Sequence, residues 1–201
     1  KASGDHQIWS ERKPVVVSQI VEEDSDVVGL PEAYQSTGNS SGSVNQYTDL
    51  RNGLNAAGKP FELTDTNKDA SRATRIIYNT STVQLNSQGS FKYANQVSGS
   101  TDRFLVWATF TQKSTGKKFF FANTHLSPNS STVKKKEWQE LIPKIRELNT
   151  ASLPVLAVGD FNTSKFGAEA EEMLPAMKAA GFGDVMNQEY KVNPPRSPRA
   201  E

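Results

Sequence analysis

"PVLAVGDFNTSKFG", residues 154–167, is the stretch on which the reading of this chain turns. Pro154 to Val158 is an apolar run of the length of one buried strand. It ends in Gly159-Asp160-Phe161-Asn162, which brings a carboxylate and an amide together at the strand's C-terminal end. Gly, Asp and Asn all terminate strands for backbone reasons, so one reading is a plain turn. The other is a catalytic mouth, because open α/β sheets carry their chemistry outside the carboxyl ends of their strands.

Two further places share the pattern. Glu32 follows the apolar "DVVGL", and His125 follows "FFFANT". Taken singly, Glu32 reads as a solvated loop acid and His125 as a hydrogen-bonded structural histidine. Taken with Asp160 and Asn162, they are polar groups delivered repeatedly at strand ends. One or two carboxylates are enough for a hard cation such as Mg²⁺, which keeps several of its waters. Phosphoryl transfer needs such a clamp on the phosphate oxygens, an oriented water and a proton donor near the leaving group.

The bulk properties set limits around this. A chain of 201 residues suits one domain with a sizeable core, or at most two small ones. Twenty-three Lys and Arg against 22 Asp and Glu leave a net charge of +1. An anionic substrate must therefore be held by local geometry or a metal rather than by the field of the whole protein. The absence of cysteine excludes a disulfide framework, a thiolate zinc site and a cysteine nucleophile. No apolar run approaches the roughly 18 residues of a membrane span, and "KASGDHQIWSERK" lacks the apolar core of a signal peptide.

Along the chain, "IWSERKPVVVSQIVEED" predicts a helix from about Ser10–Glu11 with Pro14 in its first turn. A short strand follows at 25–30. Residues 36–74 are rich in Gly, Ser and Asn and read as connections with one short helix near Tyr47–Leu54. "RIIYN" (75–79) and "TVQLN" (82–86) read as strands joined by a tight turn, with "FKYA" a weaker strand. "RFLVWATFTQK" (103–113) and "KKFFFANTHL" (117–126) form a hairpin across "STG". In "SSTVKKKEWQELIPKIRELNTA" the side chains of Trp138, Leu141, Ile142, Ile145 and Leu148 share one helical face, with Pro143 predicting a kink or break. The lysines 117–118 and 134–136 read as solvated charges or as a basic rim for phosphates. After the strand 154–158 comes a helix at 168–180 and a Pro-rich tail, 185–201. This order is that of one α/β domain with a mixed sheet.

"DVVGLPEA", "ANTHL" and "PVLAVGDFNTS", in this order, resemble the endonuclease/exonuclease/phosphatase superfamily, the fold of deoxyribonuclease I. "RATRIIYNTSTVQL", the hairpin 103–126 and the W-x-x-R-x-P of Trp9–Pro14 are similar to its other elements, so the likeness spans about residues 8–185. It implies a single domain (1–201) built as a four-layer sandwich, with two mixed β-sheets flanked by helices. It also implies a Mg²⁺-dependent phosphoesterase, with Mn²⁺ or Ca²⁺ as alternative ions. On the matching positions, Glu32 is the metal ligand, His125 contacts the scissile phosphate, Asp160 orients the attacking water and Asn162 binds a phosphate oxygen. Arg103 and Tyr78 are further phosphate-contact candidates, with a surface charge as the other reading of Arg103 and core packing as that of Tyr78. The histidine separates the chain from the abasic-site endonucleases and groups it with nuclease-, sphingomyelinase-, inositol-phosphatase- and deadenylase-like members.

Three departures accompany the likeness. Pro31 stands where the family has Gln, and proline fixes φ and lacks an N–H donor. Nothing before Trp9 supplies the family's supporting Asn, and the terminal Asp-His motif is absent, His6 and His125 being the two histidines. The expectation is a fold incomplete at both termini, with a weak or inactive binding domain as the rival function. A phosphate-ester substrate, nucleic acid among the possibilities, a monomer and a secreted location complete the expectations.

Overall fold

In the computed structural model, residues 8–33, 45–64, 74–163 and 168–185 are described. His6, "SKFG" of the opening stretch and the tail from 186 onward lie outside them. Residues up to Asn162 form one compact unit, and a second begins at Thr163.

The first unit contains α1 (Trp9–Glu22), β1 (Val27–Leu30), α2 (Gln46–Ala56), β2 (Phe61–Leu63), β3 (Arg75–Asn79), β4 (Val83–Lys92), β5 (Phe104–Gln112), β6 (Lys118–His125), α3 (Ser131–Leu148) and β7 (Val155–Asp160). The second contains α4 (Ala168–Ala179), a helix with Pro175 inside it. None of the described helices is long and apolar enough to cross a membrane.

The strands make two sheets, ordered β1-β3-β2 and β4-β5-β6-β7. In the first sheet both pairings are antiparallel. In the second only β6 and β7 run parallel. Side chains that alternate along the strands pack between the sheets, among them Ile76, Val106, Ala108, Phe110 and Phe121, with Val27 and Val158 against them. Full burial of such a side chain stabilises the fold by about 2 kcal/mol.

The opposite face of the first sheet is covered by α1 and α2 through Trp9, Leu50, Leu54, Phe61 and Ile77. On α2, Asp49 holds both the Trp9 indole N–H (2.8 Å) and Lys13 Nζ (2.6 Å) of α1. α3 covers the opposite face of the second sheet. Its Trp138, Leu141 and Ile145 are buried, and its Lys144 Nζ lies 4.5 Å from the ring of Phe91, whose cross-strand partner is Leu105. The layers are therefore helices, sheet, sheet, helix, the four-layer α/β sandwich implied by the likeness.

Several elements differ from the sequence reading. β3 and β4 are joined by a tight turn but do not pair. β3 takes β1 and β2 as neighbours and β4 takes β5, so the turn carries the chain between sheets. β4 is one strand of 10 residues that absorbs both "TVQLN" and the start of "FKYA" through an irregularity between Leu85 and Ser87. The three-residue β2 lies within the stretch that reads as connection, since so short a strand has no period to detect.

α1 starts at Trp9, which places Pro14 beyond the first turn, and α3 runs unbroken through Pro143. Each proline removes one N–H, to the carbonyl four residues earlier. Those earlier residues, Ser10 and Gln139, are exposed, on the solvent side of their helices. β7 continues through Gly159 to Asp160, two residues past the predicted end.

Candidate active site

The parallel pairing of β6 and β7 brings their C-terminal ends to one edge and sets His125 beside Asp160 in register. β1 ends at the same edge, because Gly29 packs directly on the second sheet. A Cβ at Gly29 would lie 2.5 Å from Val158 Cγ2 and 2.9 Å from Asn123 Cγ. The close approach carries Pro31 and Glu32 to the histidine. His125 Nδ1 lies 3.3 Å from the Pro31 carbonyl and 3.9 Å from Glu32 Oε1, while Nε2 lies 3.8 Å from Asp160 Oδ2.

The Pro31 carbonyl accepts from Nδ1–H, which fixes the tautomer and turns Nε2 toward Asp160. Pro31 thus contributes through its carbonyl, and its missing N–H is of no consequence to this contact. The His125 side chain is only 5 % exposed. Burial lowers its pKa, the Arg103 charge lowers it further, and the Asp160 and Glu32 carboxylates act in the opposite direction. The imidazole is therefore neutral at pH 7.

Gly159 is obligatory where it stands. Its φ is +139°, and a Cβ there would lie 2.0 Å from the Thr124 carbonyl oxygen. Beyond it Asn162 adopts φ +48°, a left-handed conformation that Asn tolerates better than most residues. Its backbone N–H donates to Asp160 Oδ1 at 2.8 Å, and its side-chain Nδ2 donates to the Leu126 carbonyl at 2.8 Å. One amide proton of Asn162 is therefore engaged in joining the two strand ends.

Arg103 precedes β5, which begins at this edge because it runs antiparallel to β6. The residue is 9 % exposed, and its Nε has no hydrogen-bond partner among the described residues. It is a buried cation next to the histidine. Tyr78 is not brought to this edge. It pairs with Val27, three positions back from the Leu30–Arg75 pair, or about 10 Å along the strand. Its ring packs 5.2 Å from that of Phe110 between the sheets.

Glu32 and Asp160 present side chains that are 63 % and 48 % exposed. Open carboxylates of this kind fit a hard divalent cation that keeps most of its water. Among the described residues no group of three or more His, Asp and Glu side chains is placed to hold a metal ion by itself.

Three polar residues of this region carry roles that the sequence reading misses. Asn123, fully buried, donates from Nδ2 to the Arg75 carbonyl at 2.7 Å and so ties the two sheets. Glu137, 0 % exposed, accepts Ser127 N–H and Oγ–H. Lys134, 6 % exposed, donates from Nζ to the Asn162 carbonyl. Lys134 therefore belongs neither to a solvated face nor to a basic rim, whereas Lys135 and Lys136 are exposed. A signal for them is present: 134, 137, 138, 141 and 145 share one helical period, so an acid and a base fall on the apolar face.

No family model matches the chain, and no curated protein matches it. Solved structures do. An endonuclease/exonuclease/phosphatase family protein from Bacteroides thetaiotaomicron superposes with a TM-score of 0.68 at 20 % identity, over 84 % of this chain and 60 % of that one. A mannosyl-6-phosphatase of Bacteroides thetaiotaomicron gives 0.68 at 19 %, over 84 % and 62 %. TDP2 of D. rerio, solved with a single-strand DNA product, gives 0.61 at 20 %, over 88 % and 60 %. This chain spans about 60 % of the length of such structures. Its two sheets and covering helices are those of the endonuclease/exonuclease/phosphatase proteins, and the chain has their deoxyribonuclease I-like fold.

Proposed function

We propose that this chain carries the site of a metal-dependent phosphoesterase that hydrolyses a phosphate ester by in-line attack of water. The observation that carries the reading is the convergence of Glu32, His125 and Asp160 within 4 Å contacts at one sheet edge, beside the buried Arg103. The similar structures, a mannosyl-6-phosphatase and a DNA-bound TDP2 among them, support a phosphate ester as the substrate class.

In this reading Glu32 and Asp160 would hold the ion. Bound there, Mg²⁺ supplies charge that polarises a phosphate oxygen. Asp160 also orients the attacking water through its exposed carboxylate. His125, neutral in the free protein, takes up a proton when phosphate charge arrives beside it, and then donates from Nε2 as negative charge builds in the transition state. Arg103 adds a fixed positive charge in a poorly solvated position, and the second amide proton of Asn162 reaches a phosphate oxygen.

A second reading is a binding domain on the same fold with a weakened centre. It is favoured by the 3.8–3.9 Å separations of His125 from Asp160 and Glu32, which are longer than hydrogen bonds. Hydrolysis of bis-p-nitrophenyl phosphate and plasmid DNA, with Mg²⁺ or with EDTA, separates the two readings. Metal-dependent cleavage that is lost in Asp160→Ala and His125→Ala supports the enzyme. A folded chain without such cleavage supports the binding domain.

A further inference from the structure

From the contacts beneath the site we infer that Lys134 and Glu137 of α3 are positioning residues that hold the two segments following the catalytic strand ends, and with them the orientation of the His125 ring and the Asn162 side-chain amide. The inference rests on the phosphoesterase reading for its catalytic consequence, and on geometry alone for the positioning itself.

The backbone ladder joins the strand ends as far as the Leu126 N–H and the Asp160 carbonyl (2.9 Å), and beyond it each strand leads into an irregular segment. After His125, the segment Leu126–Ser127 is fixed by Glu137. Its Oε2 accepts the Ser127 N–H at 2.7 Å, and its Oε1 accepts the Ser127 hydroxyl at 2.6 Å. After Asp160, the left-handed residue Asn162 is fixed by Lys134, whose Nζ donates to its carbonyl.

The two segments are then joined to each other by Asn162 Nδ2 and the Leu126 carbonyl. Lys134 and Glu137 lie three residues apart, so they project from one face of a helix across about one turn. A helix is stiff over that span. α3 therefore holds both segments from beneath, and neither residue needs to touch the substrate.

Burial explains why the two side chains serve this purpose. Glu137 is 0 % and Lys134 6 % exposed. Charges cost heavily in such surroundings unless hydrogen-bonded, so each is held to its backbone partner. Burial pushes the Glu137 carboxyl above the usual range, while its bonds from Ser127 and the Arg103 charge pull it down.

Four variants test this: Glu137→Ala, Glu137→Gln, Lys134→Met, and Lys136→Gln as an exposed control on the same helix. Glutamine can keep both bonds if the Ser127 hydroxyl reverses its role. Two readouts are taken on the 201-residue chain: kcat and KM for bis-p-nitrophenyl phosphate, and the NMR signals of the His125 ring and the Asn162 side-chain amide. With two histidines in the sequence, ring assignment is direct.

The expected result is a loss of about 100-fold in kcat for Glu137→Ala and Lys134→Met with KM within about 3-fold, since small misplacements cost that much. The His125 and Asn162 signals should move in both. Glu137→Gln and Lys136→Gln should match the wild type in both readouts. Unmoved signals in folded Lys134→Met and Glu137→Ala overturn the inference, as does a Glu137→Gln variant that behaves like the alanine. If the wild type hydrolyses nothing, the phosphoesterase reading fails, and the NMR signals alone decide the positioning. Should Glu137→Ala not fold, Lys134→Met and Glu137→Gln decide between these outcomes.

Discussion

His125 and Asp160 are register partners across the parallel β6–β7 pairing, with Nε2 3.8 Å from Oδ2. Two residues 35 positions apart (160 − 125) are thereby set side by side by backbone hydrogen bonds rather than by their own chemistry. That relationship gives the candidate site its rigidity and leads to the following expectations.

Replacing either partner by its nearest uncharged isostere, Asp160→Asn or His125→Gln, should lower phosphodiester hydrolysis by about 10²- to 10⁴-fold. Asp160 is half exposed, so Asp160→Asn should leave the melting temperature nearly unchanged, whereas His125→Gln removes a buried ring and should lower it. A variant that retains wild-type turnover would remove that residue from the chemistry.

Acid should weaken the fold through His125. Its folded pKa lies below the ordinary value of 6.5 because of burial, with the Arg103 charge adding to the effect. The neutral form is thus the one the fold prefers. This contribution is fully present above pH 6.5 and is lost as pH falls toward and through the lowered folded value. Urea unfolding at pH 7 and pH 5 should show a smaller drop in midpoint for His125→Asn than for the wild type.

Alkali should act through Tyr47. Burial raises its hydroxyl to about 12, and its single proton is shared between the carbonyls of Thr64 (2.9 Å) and Ile76 (2.8 Å). The raised pKa makes this contribution complete below pH 10, and it disappears as pH rises through about 12. Tyr47→Phe should cost about 1–3 kcal/mol at pH 7 by leaving a buried carbonyl short of a donor. It should also flatten the decline in stability between pH 10 and pH 12, read by denaturant titration.

Gly159→Ala should be among the most damaging single changes in the chain. A methyl group there meets the Thr124 carbonyl oxygen at 2.0 Å, and φ is +139°. A loss of about 3 kcal/mol or more is expected, measured as a fall in the urea midpoint. Gly29→Ala should also destabilise, by pushing Val158 and Asn123 away from β1.

Mg²⁺ should raise the melting temperature if Glu32 and Asp160 hold it, since a ligand that binds only the folded state stabilises it by mass action. The increment should vanish with EDTA and shrink in Glu32→Gln. Equal increments in the wild type and Glu32→Gln would place any bound ion elsewhere.

Sequence by itself determined the local elements with strong periodicity, namely the β5–β6 hairpin, α3 and the first part of β7. Alternation and helical period are properties of neighbouring residues and need no partner. It also marked Glu32, His125, Asp160 and Asn162, because polar groups at the ends of apolar strands stand out against their surroundings. Arg103 is marked as well, through the likeness to known proteins.

Tertiary structure alone decided the rest. Which sheet β3 and β4 each join depends on partners far away in the chain, so the tight turn between them could not reveal that it changes sheets. The likeness offers Tyr78 as a phosphate contact against core packing, and antiparallel register places its ring between the sheets. Lys134 sits in a run of three lysines that is indistinguishable from a solvated face until α3 is docked, when one of the three turns inward to the Asn162 carbonyl. Burial is a property of the packed molecule. A charge reads as surface in one dimension, and only the helix's contact with the two strand ends makes this one part of the site's support.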